Sequence, residues 1–185
     1  SLIKAHEFAA ADDPMKDRHV TAIHAQFTRK DQIPLYVKYR IRPSFYTLHT
    51  YYFAEAHIRN RGKAQAMSIS PMRDAIDAGL RPTNHTDAVV APLDQMFWSA
   101  VNRISRAGAE IGPDQRVTPL EGLKAMTIWA AEQHGEQGSK GSLEVGKLAD
   151  LVILDRNPLE VDRTAIKDIK VVETIKEGKT IYRAP

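Results

Sequence analysis

No cysteine occurs at any of the 185 positions, which excludes a disulfide framework, a thiolate metal site and a cysteine nucleophile. Any bound metal would have to rest on histidines and carboxylates. The same lack leaves the compartment open, since a cysteine-free chain tolerates oxidising and reducing surroundings alike. No stretch of 18 apolar residues is found, so no segment reads as a membrane-spanning helix and no membrane partner is expected. Blocks of Lys and Arg are missing too: 26 basic and 23 acidic side chains are scattered along the chain, for a net charge of +3. Nucleic acid is not an expected partner, because phosphate binding needs a concentrated basic face. Also absent are H-x-H, HExxH and the G-x-S-x-G nucleophile elbow. The chain does not open with methionine; no signal peptide is visible, though one could have been lost with a natural start. At 185 residues it holds one compact domain with a sizeable core, but not a full eight-repeat α/β barrel of ~250 residues.

What is present is an ordinary globular composition, 43% hydrophobic and 26% charged. Ile3 to Ala11 reads as the tail of a helix, and His19 to His24 (HVTAIH) as a short buried strand. Asp31 to Tyr39 is a short amphipathic segment. Ile41 to Tyr46 is a strand candidate in which Pro43 argues against regular pairing. Ser70 and Pro71 open a helix that Gly79 closes, and Leu80 to Thr83 follows as a strand. Leu93 to Arg106 carries an apolar helical face and stops before Gly108, while Thr118, Pro119 and Glu121 form a capping box for a helix running to His134. Beyond Gly135 the character changes to β-type runs: Ala149 to Leu154, Val171 to Lys176 and Lys179 to Tyr182, the last two joined by a Glu177-Gly178 turn. Strand and helix alternate over the first ~135 residues, as in a parallel βαβ chain, and a small separate sheet follows.

Seven histidines, at positions 6, 19, 24, 49, 57, 85 and 134, are the candidates for chemistry. Taken singly, a histidine is more often a surface or capping residue than a ligand. His24 differs in ending a predicted strand, where barrel enzymes place catalytic side chains, and Asp87 lies just beyond another. A metal hydrolase needs neutral imidazole to hold the cation and a carboxylate to take a proton from water, and this pair can supply both. By spacing alone Asp87 reads more readily as an ordinary loop aspartate in an Asx turn. Asn84-His85-Thr86 matches a glycosylation sequon, a frequent chance match. Tyr51, Tyr52 and Phe53 suit a pocket lining, a core or a rim.

Several segments together resemble a known family. GSLEVGKLADLVILDRNPLEV at 141 to 161, GPDQRVTPLEGLKAMTIWAAEQHG at 112 to 135, HAQ at 24 to 26, PSFYTLHTYYF at 43 to 53 and RPTNHTDAVVAPLD at 81 to 94 are similar, in that order, to the C-terminal third of the amidohydrolase superfamily. The resemblance is to amidohydrolase family 3, the YtcJ-like metal-dependent hydrolases. It implies an α/β fold: strands six to eight of a TIM (β/α)8 barrel with their helices, as a partial barrel over residues 1–140, followed by a small β-sandwich segment over 141–185. It implies His24 as the sixth-strand residue that binds or faces the metal. Asp87 becomes the eighth-strand aspartate that binds metal and shuttles the proton, the catalytic residue, and His49 a substrate-lining residue after the seventh strand. His85 gains no role beyond proximity. The cofactor implied is a divalent metal, zinc being the expected ion, with one or two ions in an intact enzyme.

The family's H-x-H, fourth-strand ligand and fifth-strand histidine have no counterpart here, and all would lie N-terminal to Ser1. The expectation is therefore the C-terminal part of a metal-dependent hydrolase that cleaves C–N bonds of a small-molecule substrate. An open three-strand segment must also cover its edges, so a homo-oligomer, or dependence on an N-terminal region, is expected. The alternative is that the chain by itself is a non-catalytic structural or assembly domain. Substrate identity and compartment stay open.

Overall fold

A computed structural model describes residues 2–13, 16–87 and 93–185, with the side chains of Leu93 and Asp94 left aside. Helix α1 (Leu2–Ala10) precedes strand β1 (Thr21–His24). Helix α2 (Ile33–Lys38) leads to β2 (Arg42–Phe45), and a run of four short helices follows: α3 (Leu48–Tyr52), α4 (Ala54–Arg61), α5 (Lys63–Met67) and α6 (Met72–Asp77). Strand β3 (Thr83–Asn84) and helices α7 (Leu93–Asn102), α8 (Pro119–Met126) and α9 (Ile128–Gln133) complete the first part. Strands β4 (Leu151–Leu154), β5 (Val171–Lys176) and β6 (Lys179–Arg183) form the last, with a 3₁₀ turn at Arg163–Asp168 between β4 and β5.

Strands β1, β2 and β3 make a parallel sheet in that order, with Thr21 opposite Arg42 and Ser44 opposite Thr83. Helices connect successive parallel strands, as that geometry requires. Pro43 sits inside the central strand against expectation, paired with Ala22. In a parallel ladder alternate residues bond opposite neighbours. Arg42 donates to Val20 O, on the β1 side, which turns the N–H-less Pro43 toward β3. That strand joins the ladder one residue later, opposite Ser44, so no ladder bond is lost at the proline.

The main core gathers Phe45 from the sheet, Met72 and Ala75 from α6, Phe97, Trp98, Ala100 and Val101 from α7, and Ala125 from α8. Gly122 is required where α8 meets α7, since a Cβ there would lie 2.7 Å from the Phe97 ring. The capping box is formed: Thr118 Oγ1 accepts from Glu121 N–H, and Glu121 Oε2 accepts from Thr118 N–H at 2.8 Å. Arg73 of α6 then forks onto both Glu121 oxygens at 3.1 and 2.5 Å. The helix expected to run unbroken to His134 is divided at Thr127, whose hydroxyl donates to Leu123 O at 2.7 Å, a back-bond that bends helices. The helix expected to reach Arg106 ends at Asn102, because Arg103 takes a left-handed φ of 52°.

The C-terminal strands form one antiparallel sheet in the order β4-β5-β6. Glu177 and Gly178 both have positive φ, 50° and 78°, and join β5 to β6 with the two-residue turn read from the sequence. Among the described residues, the segment expected to supply part of a β-sandwich is this one sheet. The adjacent residues Val152 and Ile153 point to opposite faces and are both exposed. The 3₁₀ turn anchors this region to α7: Trp98 Nε1 donates to Thr164 O at 3.0 Å, and Asn102 Nδ2 to Arg163 O at 2.9 Å.

Candidate active site

Because β1, β2 and β3 are parallel, their C-terminal ends share one edge, and the chain leaves each strand there through polar residues. His24 is the last residue of β1, Tyr46 follows β2, and His85 and Asp87 follow β3. Three residues at this edge are left-handed: His24, Ala25 and Asp87 have φ of 63°, 42° and 53°. A left-handed conformation in non-glycine residues persists only where surroundings enforce it, and it is frequent at functional sites.

Asn84 fixes the ends of β2 and β3 together. Its Oδ1 accepts from the N–H and hydroxyl of Thr47 at 3.2 and 3.1 Å, and its Nδ2 donates to Thr47 Oγ1 at 2.9 Å. A side chain buried and engaged in this way is no glycan acceptor, so the sequon is a chance match. Just beyond, His85 N–H donates to Phe45 O at 2.9 Å.

This edge brings together the two residues singled out for chemistry. His24 Nε2 lies 3.6 Å from Asp87 Oδ2, both side chains being partly exposed. That is too long for a direct hydrogen bond. Two ligands of a tetrahedral ion held at 2.0–2.1 Å lie about 3.3 Å apart, so the gap suits shared contact with a cation. The pair fits as part of a ligand set, not as a whole one. Among the described residues no group of three or more His, Asp or Glu side chains is placed to hold a metal.

Around the pair stand three further imidazoles and a phenol. The His85 ring lies 4.9 Å from His24 and stacks on Tyr46 at 5.6 Å, and the His49 ring lies 6.1 Å from His24 and 4.8 Å from Tyr46. His49, on α3, reaches His57 on α4, with Nδ1 and Nε2 3.2 Å apart, and Gln26 Nε2 lies 2.8 Å from the same His57 nitrogen. Burial, reinforced by the His57 and His24 rings, lowers the His49 pKa to about 4. Burial also lowers His57, with help from Arg61, and His85, with help from His24. These three imidazoles are therefore neutral at neutral pH. Burial, and then Asp87, raises Tyr46. His24 Nδ1, His85 Nε2 and Tyr46 Oη are all buried without a hydrogen-bond partner, an unusual concentration, since buried polar atoms are nearly always paired.

His57, Tyr46 and Gln26 were not singled out in the sequence as site residues. His57 comes close only because Phe53 breaks the chain between α3 and α4, a turn that no periodicity announces. Tyr46 is signalled only by its place after a strand end. Of the aromatic run, Tyr51 packs at the edge of the main core, Tyr52 donates to Gln95 Oε1 at 2.9 Å, and Phe53 lies 5.3 Å from the His49 ring.

The fold and site define an α/β protein with polar, strained residues at the C-terminal ends of parallel strands. A model of the amidohydrolase family matches residues 1–182, and the chain belongs to that family. An N-substituted formamide deformylase from Arthrobacter pascens is 35% identical over 126 residues, 66% of this chain and 23% of its own length. A putative amidohydrolase, YtcJ from Bacillus subtilis, is 23% identical over 177 residues, 91% of this chain and 33% of its own. Among solved structures, an uncharacterized metal-dependent hydrolase from Pyrococcus horikoshii OT3 superposes with a TM-score of 0.70 at 23% identity, over 88% of this chain and 33% of that one. An adenosine deaminase from Xanthomonas campestris with bound Zn gives 0.61 at 17% identity, over 89% and 37%. These superpositions establish a shared fold. The chain spans only 23% to 33% of the length of the first two relatives.

Proposed function

We propose that this chain is the C-terminal part of a metal-dependent amidohydrolase that cleaves a C–N bond of a small molecule. Residues 1–140 would supply the last strands and helices of a (β/α)8 barrel, and 141–185 strands of a small β-sandwich completed by other parts of the protein. The observation that carries the reading is the 3.6 Å approach of His24 Nε2 to Asp87 Oδ2 at the C-terminal ends of the strands, where barrel enzymes keep their active sites. His24 and Asp87 would hold a divalent cation, zinc being one that accepts both imidazole and carboxylate ligands. Such an ion, when bound, polarises a carbonyl and acidifies water.

The chain's own residues account for the proton traffic. Asp87 takes a proton as water adds to the carbonyl carbon, then delivers it to the nitrogen as the C–N bond breaks, leaving a carboxylic acid and an amine. His49, neutral and beside His24, lines the substrate and contacts it by hydrogen bonding. An N-substituted formamide, the substrate class in the name of one relative, is the first to try. In the full-length protein Asp87→Asn should remove most turnover of such an amide while leaving the fold intact. A near-normal kcat in that variant would overturn the assignment.

A second reading applies to the 185-residue chain in isolation: a non-catalytic structural or assembly unit, dependent on an N-terminal region or on its own copies. The shortfall of ligands among the described residues favours it. Zinc analysis separates the two. Tight, stoichiometric zinc in the isolated chain would favour a complete site shared between copies, and its absence an inert unit.

A further inference from the structure

Arg103 is fully buried directly after α7, in a left-handed backbone conformation, and forms no ion pair among the described residues. Its guanidinium donates to three backbone carbonyls: Nε to Ile111 O at 2.7 Å, Nη1 to Ser70 O at 3.1 Å and Nη2 to Ile69 O at 2.6 Å. Burial lowers its pKa to about 10, so it keeps its charge at neutral pH. Carrying a cation with no ion-pair contact into the interior is expensive; three well-aimed carbonyl dipoles, helped by the Asp114 carboxylate nearby, offset it.

What the guanidinium holds leads back to the site. Ser70, with φ of 47°, donates its own N–H to Gln26 O at 2.8 Å. Gln26 follows the two left-handed residues His24 and Ala25, and its side-chain amide lies 2.8 Å from His57 Nε2, which in turn approaches His49 Nδ1. Each contact fixes the next: a strained turn at Ser70 holds only while its carbonyl is gripped, and a pinned Gln26 carbonyl sets the direction of its side chain. The grip is close on its other side as well. A Cβ on Gly112 would lie 1.8 Å from Met67 O and 3.1 Å from Arg103 Nη2.

We propose that Arg103 is a positioning residue: by clamping the Ile69–Ser70 turn it fixes Gln26, and through Gln26 the His57–His49 pair beside His24. This rests on the hydrolase reading only for its consequence on turnover; the mechanical coupling stands apart from it. Arg103 touches no substrate and acts through the chain of contacts.

The test compares Arg103→Lys, which keeps the charge but not the fork, with Ile166→Val, a core change that lowers stability without touching the clamp. NMR on the 185-residue chain reads exchange of the Ser70 amide and the proximity of the Gln26 side-chain amide to the His57 ring. The expected result for Arg103→Lys is at least tenfold faster Ser70 exchange and loss of the Gln26–His57 contact, with both unchanged in Ile166→Val. Wild-type values in Arg103→Lys, or equal loosening in Ile166→Val, would overturn the proposal. Should Arg103→Lys not fold, Gln26→Leu cuts the last link with the clamp intact: the His57–His49 contact should be lost, and its persistence counts against the coupling. In the full-length protein Arg103→Lys should lower kcat about tenfold beyond Ile166→Val, with KM little changed. If the wild type turns over no amide, the hydrolase reading fails and the NMR contacts alone decide this one.

Discussion

The two ends of the parallel sheet are built on opposite principles. At the N-terminal end charges are matched: Arg42 donates from both terminal nitrogens to Asp17 at 3.2 and 2.6 Å, and Arg81 pairs with Glu132. At the C-terminal end, buried polar atoms on His24, His85 and Tyr46 have no partner, and burial keeps neighbouring imidazoles neutral; left-handed backbone occurs at both ends, at His19 and Arg40 on one and at His24, Ala25 and Asp87 on the other. Buried polar groups left unsatisfied cost stability, and that cost falls at the C-terminal edge. One end ties neighbouring segments together through paired charges, while the other leaves donors and acceptors on His24, His85 and Tyr46 without partners among the described residues.

The largest effect is expected at the C-terminal end. His24→Ala in the full-length protein should lower amide turnover by about a thousandfold, the scale of losing a group that works at the reacting centre. The same change in the 185-residue chain should shift unfolding by no more than about 0.5 kcal/mol, because the imidazole is partly exposed and its Nδ1 has no partner to lose. Chemical denaturation together with steady-state kinetics checks both. A large loss of stability with little loss of turnover would reverse the roles of the two ends.

At the other end Asp17→Asn should do the opposite. It leaves the half-buried Arg42 guanidinium without its counter-charge, at a cost of about 1–2 kcal/mol, between the value of an exposed pair and that of a buried one, and turnover should stay within about twofold. The same pair predicts a pH dependence. The Arg42 hydrogen bond lowers the Asp17 pKa from 3.8 to about 2. A carboxyl whose folded pKa is depressed contributes stability that is full above the unfolded value and is lost as the pH falls through the folded one. The wild-type chain should therefore lose about 1–2 kcal/mol between pH 4 and pH 2 that Asp17→Asn does not lose. Parallel unfolding curves for the two proteins across that range would refute the assignment.

How much of this was legible in the sequence follows from the range of each signal. The capping box at Thr118 and Glu121 and the Glu177-Gly178 turn are local and appear as read, because the residue types themselves set the geometry. The strand ending at His24 was read from its apolar run, although its start moved from His19 to Thr21, where His19 turns left-handed and donates its N–H to Asp17. The helices from Leu48 to Met67 were not foreseen. They are short, interrupted at Phe53 and Gly62, and carry no clean amphipathic period. The approach of His24 to Asp87 is set by strand order across the sheet, which a single chain's spacing does not encode; the pairing rests on their places at two predicted strand ends and on the family resemblance. The Arg103 clamp gave no signal at all, since Arg103 falls inside the helix read over Leu93 to Arg106, where an arginine ordinarily reads as part of the solvated face.

The smallest effect bears most finely on the difference between the two ends. Tyr46 is almost wholly buried, stacks on His85, and has a hydroxyl with no partner. A buried, unmade hydrogen bond costs the desolvation of the group, so deleting the hydroxyl should stabilise the fold. Tyr46→Phe keeps the ring and should raise stability by about 0.5–1 kcal/mol, read as a higher denaturation midpoint at unchanged slope. If the hydroxyl is instead kept free for a substrate oxygen, the full-length Tyr46→Phe protein will also lose about tenfold in kcat/KM, the value of one neutral hydrogen bond at the transition state. Stabilisation combined with lost turnover is the signature of a group held unsatisfied for function. Destabilisation by 1 kcal/mol or more would mean that the hydroxyl is satisfied within the fold, and the contrast between the ends would then rest on His24 and His85 alone.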